Sequence, residues 1–180
     1  GCSENAEDNF KEVAETALTL GAPVIRIWAG GKGSAETTAE IRSAIEEEAF
    51  RLAEIADQYG IDIALECHNN TLTDNFQSSL DLINKVNHPR LKMYWQPNQL
   101  RDCEYNRLSA SGLAPVTVNL HVFHWNDKNR YPLEEGTRIW QTYLEPFRAS
   151  ERDYGLLLEF MHDDQIETLN KTAETLLSWI

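Results

Sequence analysis

The order of apolar patterns predicts an α/β protein built on parallel strands, and three observations carry that prediction. Five short runs rich in β-branched and other apolar residues, centred near residues 25, 64, 94, 120 and 157, alternate with segments whose apolar residues recur at helical spacing. The intervals between strand centres suit β-α-β units, in which a helical crossover returns the chain parallel to the preceding strand. No proline- or serine-rich linker and no low-complexity stretch interrupts the rhythm, so residues 1–180 read as a single domain.

Each element follows from its own residues. Over 4–20, Phe10, Val13, Ala14, Ala17 and Leu18 share one helical face, with Ser3 as the candidate N-cap and Gly21 as the stop. Val24-Ile25-Arg26-Ile27-Trp28 is the first strand and leaves through Gly30-Gly31-Lys32-Gly33. A long helix over about 38–59 carries Ile41, Ile45, Phe50, Leu52, Ile55 and Ala56, and Glu46-Glu47-Glu48 forms its solvated face. Strands over 61–67, 91–96, 116–123 and 155–161 then alternate with helices over about 76–87, 99–110, 136–148 and 164–178.

Composition excludes several classes of function. Sixteen basic and 29 acidic side chains give a net charge of −13, which repels nucleic-acid phosphates and anionic lipid surfaces. No apolar stretch reaches the roughly 18–20 residues that span a bilayer, and the acidic N-terminal segment lacks the basic and apolar regions of a signal peptide. The cytosol is the expected compartment. Cys2, Cys67 and Cys103 form no CxxC pair, so neither a disulfide framework nor a cysteine zinc site is indicated. Gly30-Gly31-Lys32-Gly33-Ser34 lacks the Gly-Lys-Ser/Thr of a phosphate loop, and no GxSxG, HExxH or GxGxxG occurs.

The functional signal lies in polar residues inside the predicted strands. Strands covered by helices on both faces should be apolar throughout, so each polar residue within them needs a reason. Alternation places Glu66 and His68 together opposite Ile63, Leu65 and Cys67, and Asn119 with His121 opposite Val118, Leu120 and Val122. Glu159 lies opposite Leu156, Leu158 and Phe160, Arg26 sits between Ile25 and Ile27, and Gln96 follows Trp95. All fall near the carboxyl ends of their strands, where parallel α/β folds place active sites. A buried carboxylate costs several kcal/mol unless it shares a cation, a proton or a partner. Two carboxylates and an imidazole at one point make a hard-donor divalent site. Taken singly, each residue has a plainer reading: Glu66 in an ion pair with Arg26, a strand histidine in the core, and Trp28, Trp95, His124 and Trp125 as packing. Their joint occurrence favours a shared pocket for the polar groups, while Trp28, Trp95, His124 and Trp125 fit either its walls or simple packing.

These residues together resemble the sugar-phosphate isomerase/epimerase family, the xylose-isomerase-like TIM barrels that include ketose 3-epimerases and endonuclease IV. Gly21-Ala22-Pro23-Val24-Ile25-Arg26 is similar to the family's third strand, and Leu65-Glu66-Cys67-His68-Asn69 to the Leu-Glu-x-His of its fourth. Leu120-His121-Val122-Phe123-His124 resembles the sixth-strand His-Val-Lys-Asp element. Pro132-Leu133-Glu134-Glu135-Gly136 resembles the short seventh-strand segment, and Leu157-Leu158-Glu159 the eighth strand. The resemblance implies an incomplete (β/α)8 barrel: a full one takes about 250 residues, and 180 residues correspond to strands three to eight, about six β/α units of parallel strands with outer helices. Such a sheet has open edges, so a partly represented barrel, or a second copy of the chain covering the gap, is expected.

The resemblance also implies a divalent ion (Mn, Mg, Co or Zn) held by Glu66, Gln96, His121 and Glu159. Gln96 stands where the family has an aspartate, and its amide oxygen can bind a hard cation without contributing charge. His124 likewise replaces an aspartate. The implied activity is sugar or sugar-phosphate isomerisation or epimerisation, with Glu66 and Glu159 moving a proton beside a carbonyl through an enediolate. Arg26, Trp28, His68, Trp95, His124 and Arg130 would contact the substrate. The alternative implication is a non-catalytic sugar-binding relative with a degenerate metal site. An endonuclease is disfavoured by the charge and by too few histidines for a trinuclear zinc cluster.

Overall fold

The computed structural model describes residues 6–150 and 152–180. The chain divides between Tyr94 and Trp95 into two compact units. The first carries α1 (Ala6–Leu20), β1 (Val24–Ile27), α2 (Ala39–Gln58), β2 (Asp62–Glu66), α3 (Phe76–Val86) and β3 (Leu91–Trp95), the last residue of β3 falling in the second unit. β2 lies between β1 and β3 and runs parallel to both, with Val24 opposite Asp62, Ile27 opposite Leu65, Ile63 opposite Leu91 and Glu66 opposite Tyr94.

Local chemistry sets these boundaries. Thr38 caps α2 by accepting from the Ile41 amide, and Asn75 caps α3 by accepting from Gln77. Asn87, at φ 47°, ends α3 in the left-handed conformation that asparagine tolerates. Small residues Ala14, Ala17, Ala49, Ala53 and Ala56 are buried in the helices, and Ile63, Ala64 and Leu65 are fully enclosed in β2. A strand enclosed on both sides reads as a continuous apolar run, which makes Glu66 at its carboxyl end conspicuous.

The second unit carries α4 (Cys103–Leu113), a 3-10 turn (Ala114–Val116), β4 (Thr117–Val122), a hairpin of β5 (Trp125–Asn126) and β6 (Asn129–Arg130), a 3-10 turn (Leu133–Gly136), α5 (Thr137–Ala149), β7 (Gly155–Leu158) and α6 (Ile166–Leu177). β4 and β7 are parallel, with Asn119 opposite Gly155, His121 opposite Leu157 and Val122 opposite Leu158. A Cβ on Gly155 would lie 2.3 Å from Asn119 Oδ1, so any larger residue there would have to displace the Asn119 side chain. The core is aromatic: Trp95 packs against Trp140, Tyr143 and Phe147 at centroid distances of 6.0, 5.7 and 5.4 Å.

The structure corrects several sequence expectations. The helix expected over 99–110 begins only at Cys103, because Asp102 caps it by accepting from the Tyr105 amide, and it continues to Leu113. The short strand segment that the resemblance implies within Pro132–Gly136 is a 3-10 turn over Leu133–Gly136 instead: Pro132 offers no N–H to a ladder, and its carbonyl takes the Glu135 amide locally. Strand pairing in this region goes to the β5–β6 hairpin. β7 ends at Leu158 rather than 161, since Phe160 turns the chain at φ 40°. Ser3, the expected first cap, lies outside the described residues. Among those residues no helix is long and apolar enough to cross a membrane.

Candidate metal centre

In the first unit, Glu66 ends β2 and is 1% exposed. Its Oε2 accepts from Arg26 Nη1 at 2.8 Å and from Trp28 Nε1 at 2.5 Å. β1 supplies both donors: Arg26 lies within the strand and Trp28 directly follows it. Removing a carboxylate from water costs several kcal/mol, and charge-assisted hydrogen bonds offset that cost. Trp28 stacks in turn on His68, with ring centroids 4.6 Å apart and planes inclined by 28°. The His68 Nδ1 lies 2.6 Å from the Asn69 carbonyl, which can only accept, so the proton sits on Nδ1 and a neutral ring leaves Nε2 as the acceptor.

The turn after β2 is fixed by a hydroxyl chain that sequence reasoning missed. Thr73 donates to the Glu66 carbonyl at 2.5 Å, its hydroxyl lies 2.9 Å from that of Thr71, and Thr71 donates to the His68 carbonyl at 2.7 Å. Asp74 accepts from the Ser34 amide through both carboxylate oxygens, and Leu72 donates to the Ala29 carbonyl. The glycine-rich loop thus engages an internal carboxylate, and a Cβ on Gly33 would lie 2.7 Å from Asp74 Oδ2. The signal was a lone aspartate forty residues away, which no local pattern connects to the loop.

Trp28→Phe tests the support of Glu66. It keeps a ring against His68 and deletes the N–H, and a hydrogen bond to a charged group contributes about 1.5–3 kcal/mol. Because Trp28 is more than half exposed, a loss near the low end, about 1.5 kcal/mol, is expected in urea unfolding. An unchanged midpoint would show that Trp28 does not hold the carboxylate.

In the second unit, Gln96 follows β3, His121 lies in β4, and Glu159 follows β7. Gln96 and His121 are each 7% exposed, and Glu159 is half-buried. His121 Nδ1 lies 2.7 Å from Gln96 Oε1 and 3.7 Å from Glu159 Oε2. The Glu159 amide donates to the Val122 carbonyl at 3.0 Å, which extends the β4–β7 pairing by one step and brings the carboxylate beside His121. His121 Nδ1 thus has one amide oxygen and one carboxylate oxygen beside it. This donor set fits a hard divalent cation, which would take the place of the Nδ1 proton.

The remaining candidates have other surroundings. Trp95 has no exposed surface, and its indole donates to Ser109 at 3.1 Å, so it builds the core rather than a pocket wall. Arg130 pairs with Asp164 at 2.6 Å and lies over the Phe160 ring at 4.6 Å and the Trp125 ring at 5.3 Å, which ties the hairpin to the segment after β7. His124 is half-buried, with its ring 5.4 Å from that of Tyr131. Burial holds its imidazole below the usual histidine range, against the opposing charge of Glu135.

Residues 2–180 match the family described as xylose isomerase-like TIM barrel, and the chain belongs to that family. Its fold is accordingly α/β, of the (β/α)8 type in incomplete form. A stretch of 122 residues is 39% identical to a 3-dehydroshikimate dehydratase of Bacillus anthracis, covering 68% of this chain and 41% of that protein's length. The crystal structure of the probable 3-DHS dehydratase AsbF from Bacillus anthracis is similar with a TM-score of 0.81 at 24% identity, over 99% of this chain and 71% of that one. A xylose isomerase-like TIM-barrel protein from Mycobacterium smegmatis, crystallised in complex with magnesium, gives a TM-score of 0.72 at 16% identity, over 98% and 69%.

Proposed function

We propose that the chain carries a metal-assisted site for proton transfer beside the carbonyl of a small polyhydroxylated substrate. The observation that carries this reading is the meeting of Gln96, His121 and Glu159 donors in the second unit. Glu66 is proposed as the fourth ligand, as the sequence resemblance implies, since it offers the second carboxylate that such a site needs. The magnesium complex of a fold relative supports the choice of cation. A divalent cation held there supplies Lewis-acid polarisation of the substrate carbonyl. Glu66 and Glu159 are the acid-base pair, one accepting the carbon-bound proton and the other delivering a proton. Arg26 and Trp28 keep Glu66 oriented, and His68 presents Nε2 to a substrate hydroxyl.

Two outcomes of that proton transfer have support. Return of the proton gives the isomerisation or epimerisation that the sequence resemblance implies. Loss of a hydroxyl β to the carbonyl, protonated by the acid as it departs, gives net dehydration. The 39% identity to a 3-dehydroshikimate dehydratase favours dehydration. With 3-dehydroshikimate, the loss of one water yields a dihydroxybenzoate ring that is followed by its near-ultraviolet absorbance. With a ketohexose in deuterated water, epimerisation is followed by uptake of deuterium at carbon. Absence of both signals in metal-loaded protein would refute catalysis and leave the sugar-binding reading.

His121→Ala provides the corresponding metal test. The purified chain is expected to hold about one equivalent of divalent ion by elemental mass spectrometry, and the variant to bind it at least tenfold more weakly. Equal metal content in both would remove His121 from the site.

A further inference from the structure

The second unit contains a cavity of about 440 Å³, within the size range of small-molecule pockets. Gln96, His121 and Glu159 are not among its lining residues; it is bounded instead by the segment before α4, the first turns of α4, the β5–β6 hairpin and one face of α5. Its walls are aromatic: Trp125 and Tyr131 come from the hairpin region, and Trp140 and Tyr143 from α5. Trp140 and Tyr143 are 1% and 5% exposed, and the Trp140 indole is anchored to the Phe123 carbonyl at 2.7 Å. These two rings are closed off in the core behind the cavity, and Trp125 and Tyr131 present its accessible aromatic surface. Burial, with Cys103 beside it, holds the Tyr143 phenol well above its usual range, so it stays a neutral hydroxyl donor at physiological pH.

One charged group distinguishes this cavity from a purely apolar one. Arg101 lines it, is exposed, and lies over the Tyr105 ring at 5.2 Å; among the described residues it has no carboxylate partner. An arginine beside aromatic walls is the arrangement that holds a planar acid, the guanidinium taking the carboxylate through two parallel hydrogen bonds and the rings taking the flat apolar body. The one acidic lining residue, Glu135, is exposed. In a chain of net charge −13, a local cation is what allows an anion to bind.

The geometry points to a second ligand site in this cavity, for a small aromatic carboxylate, with Arg101 binding the acid group and Trp125 and Tyr131, the accessible rings of the lining, flanking the aromatic body. The site stands apart from the proposed catalytic reading, although a hydroxylated benzoate released by dehydration would belong to the ligand class.

Calorimetric titration of the full chain with benzoate, with 3,4-dihydroxybenzoate and with neutral benzyl alcohol tests the assignment. Saturable binding of one equivalent of either acid is expected, with benzyl alcohol at least tenfold weaker. Arg101→Gln, an exposed change that leaves the core intact, is expected to weaken acid binding at least tenfold. His121→Ala in chelator-treated protein is expected to bind as the wild type does, whatever its effect on turnover. No saturable binding, equal affinity for the acids and the alcohol, an unchanged Kd in Arg101→Gln, or loss of binding in His121→Ala would each overturn the assignment.

Discussion

Trp95→Ala is expected to destabilise the chain by about 3–5 kcal/mol, the usual cost of deleting a fully buried large aromatic side chain. Trp95 has no exposed surface, meets the rings of Trp140, Tyr143 and Phe147, and donates its indole N–H to Ser109. Alanine there would leave a cavity bordered by three rigid rings that cannot readily close it. Against the typical total stability of about 5–15 kcal/mol, such a loss is readable by denaturant unfolding. Trp95→Phe retains a ring and deletes the N–H, and should cost less than half as much. A loss below about 1 kcal/mol for the alanine variant, accompanied by a change in ligand affinity, would restore the sequence reading of Trp95 as a pocket wall.

Glu66→Gln is the substitution expected to affect chemistry most. It preserves the shape of the side chain and an oxygen acceptor for Arg26 and Trp28, while removing the charge on which the proposed roles of Glu66 as base and ligand rest. General acid-base groups contribute about 10²–10⁴-fold to rate, so deuterium exchange or dehydration should fall by that order while near-ultraviolet circular dichroism shows an intact fold. A non-catalytic binding protein would instead show near-normal ligand affinity in the variant and no turnover in either form. The comparison separates the two readings with one change of atom.

Much of the secondary structure was legible because its causes are local. Apolar spacing located the six α-helices and the five longer strands among the described residues, and Thr38 and Asp102 show that a single side chain sets where a helix begins. The hairpin Trp125–Asn126/Asn129–Arg130 escaped because two-residue strands are too short to show a period, and the segment within Pro132–Gly136 was misread because Pro132 acts through a missing donor. Strand alternation singled out Glu66, His121 and Glu159 as candidates, since a polar residue in a buried strand contradicts its surroundings. Gln96 was flagged in the same way at the end of its strand, but its contact with His121 required coordinates.

By itself, the sequence determined the alternation of elements, the strand ends where polar groups gather, and the donor types available there. These follow from side-chain period and from the cost of burying charge. Only the tertiary structure decided which partner each group meets. It gave Glu66 to both Arg26 and Trp28, filled the glycine-rich loop with Asp74, withdrew Trp95 into the core and placed His124 at the cavity wall. Such choices join residues distant in sequence, so they are set by the packing of whole elements rather than by any local pattern.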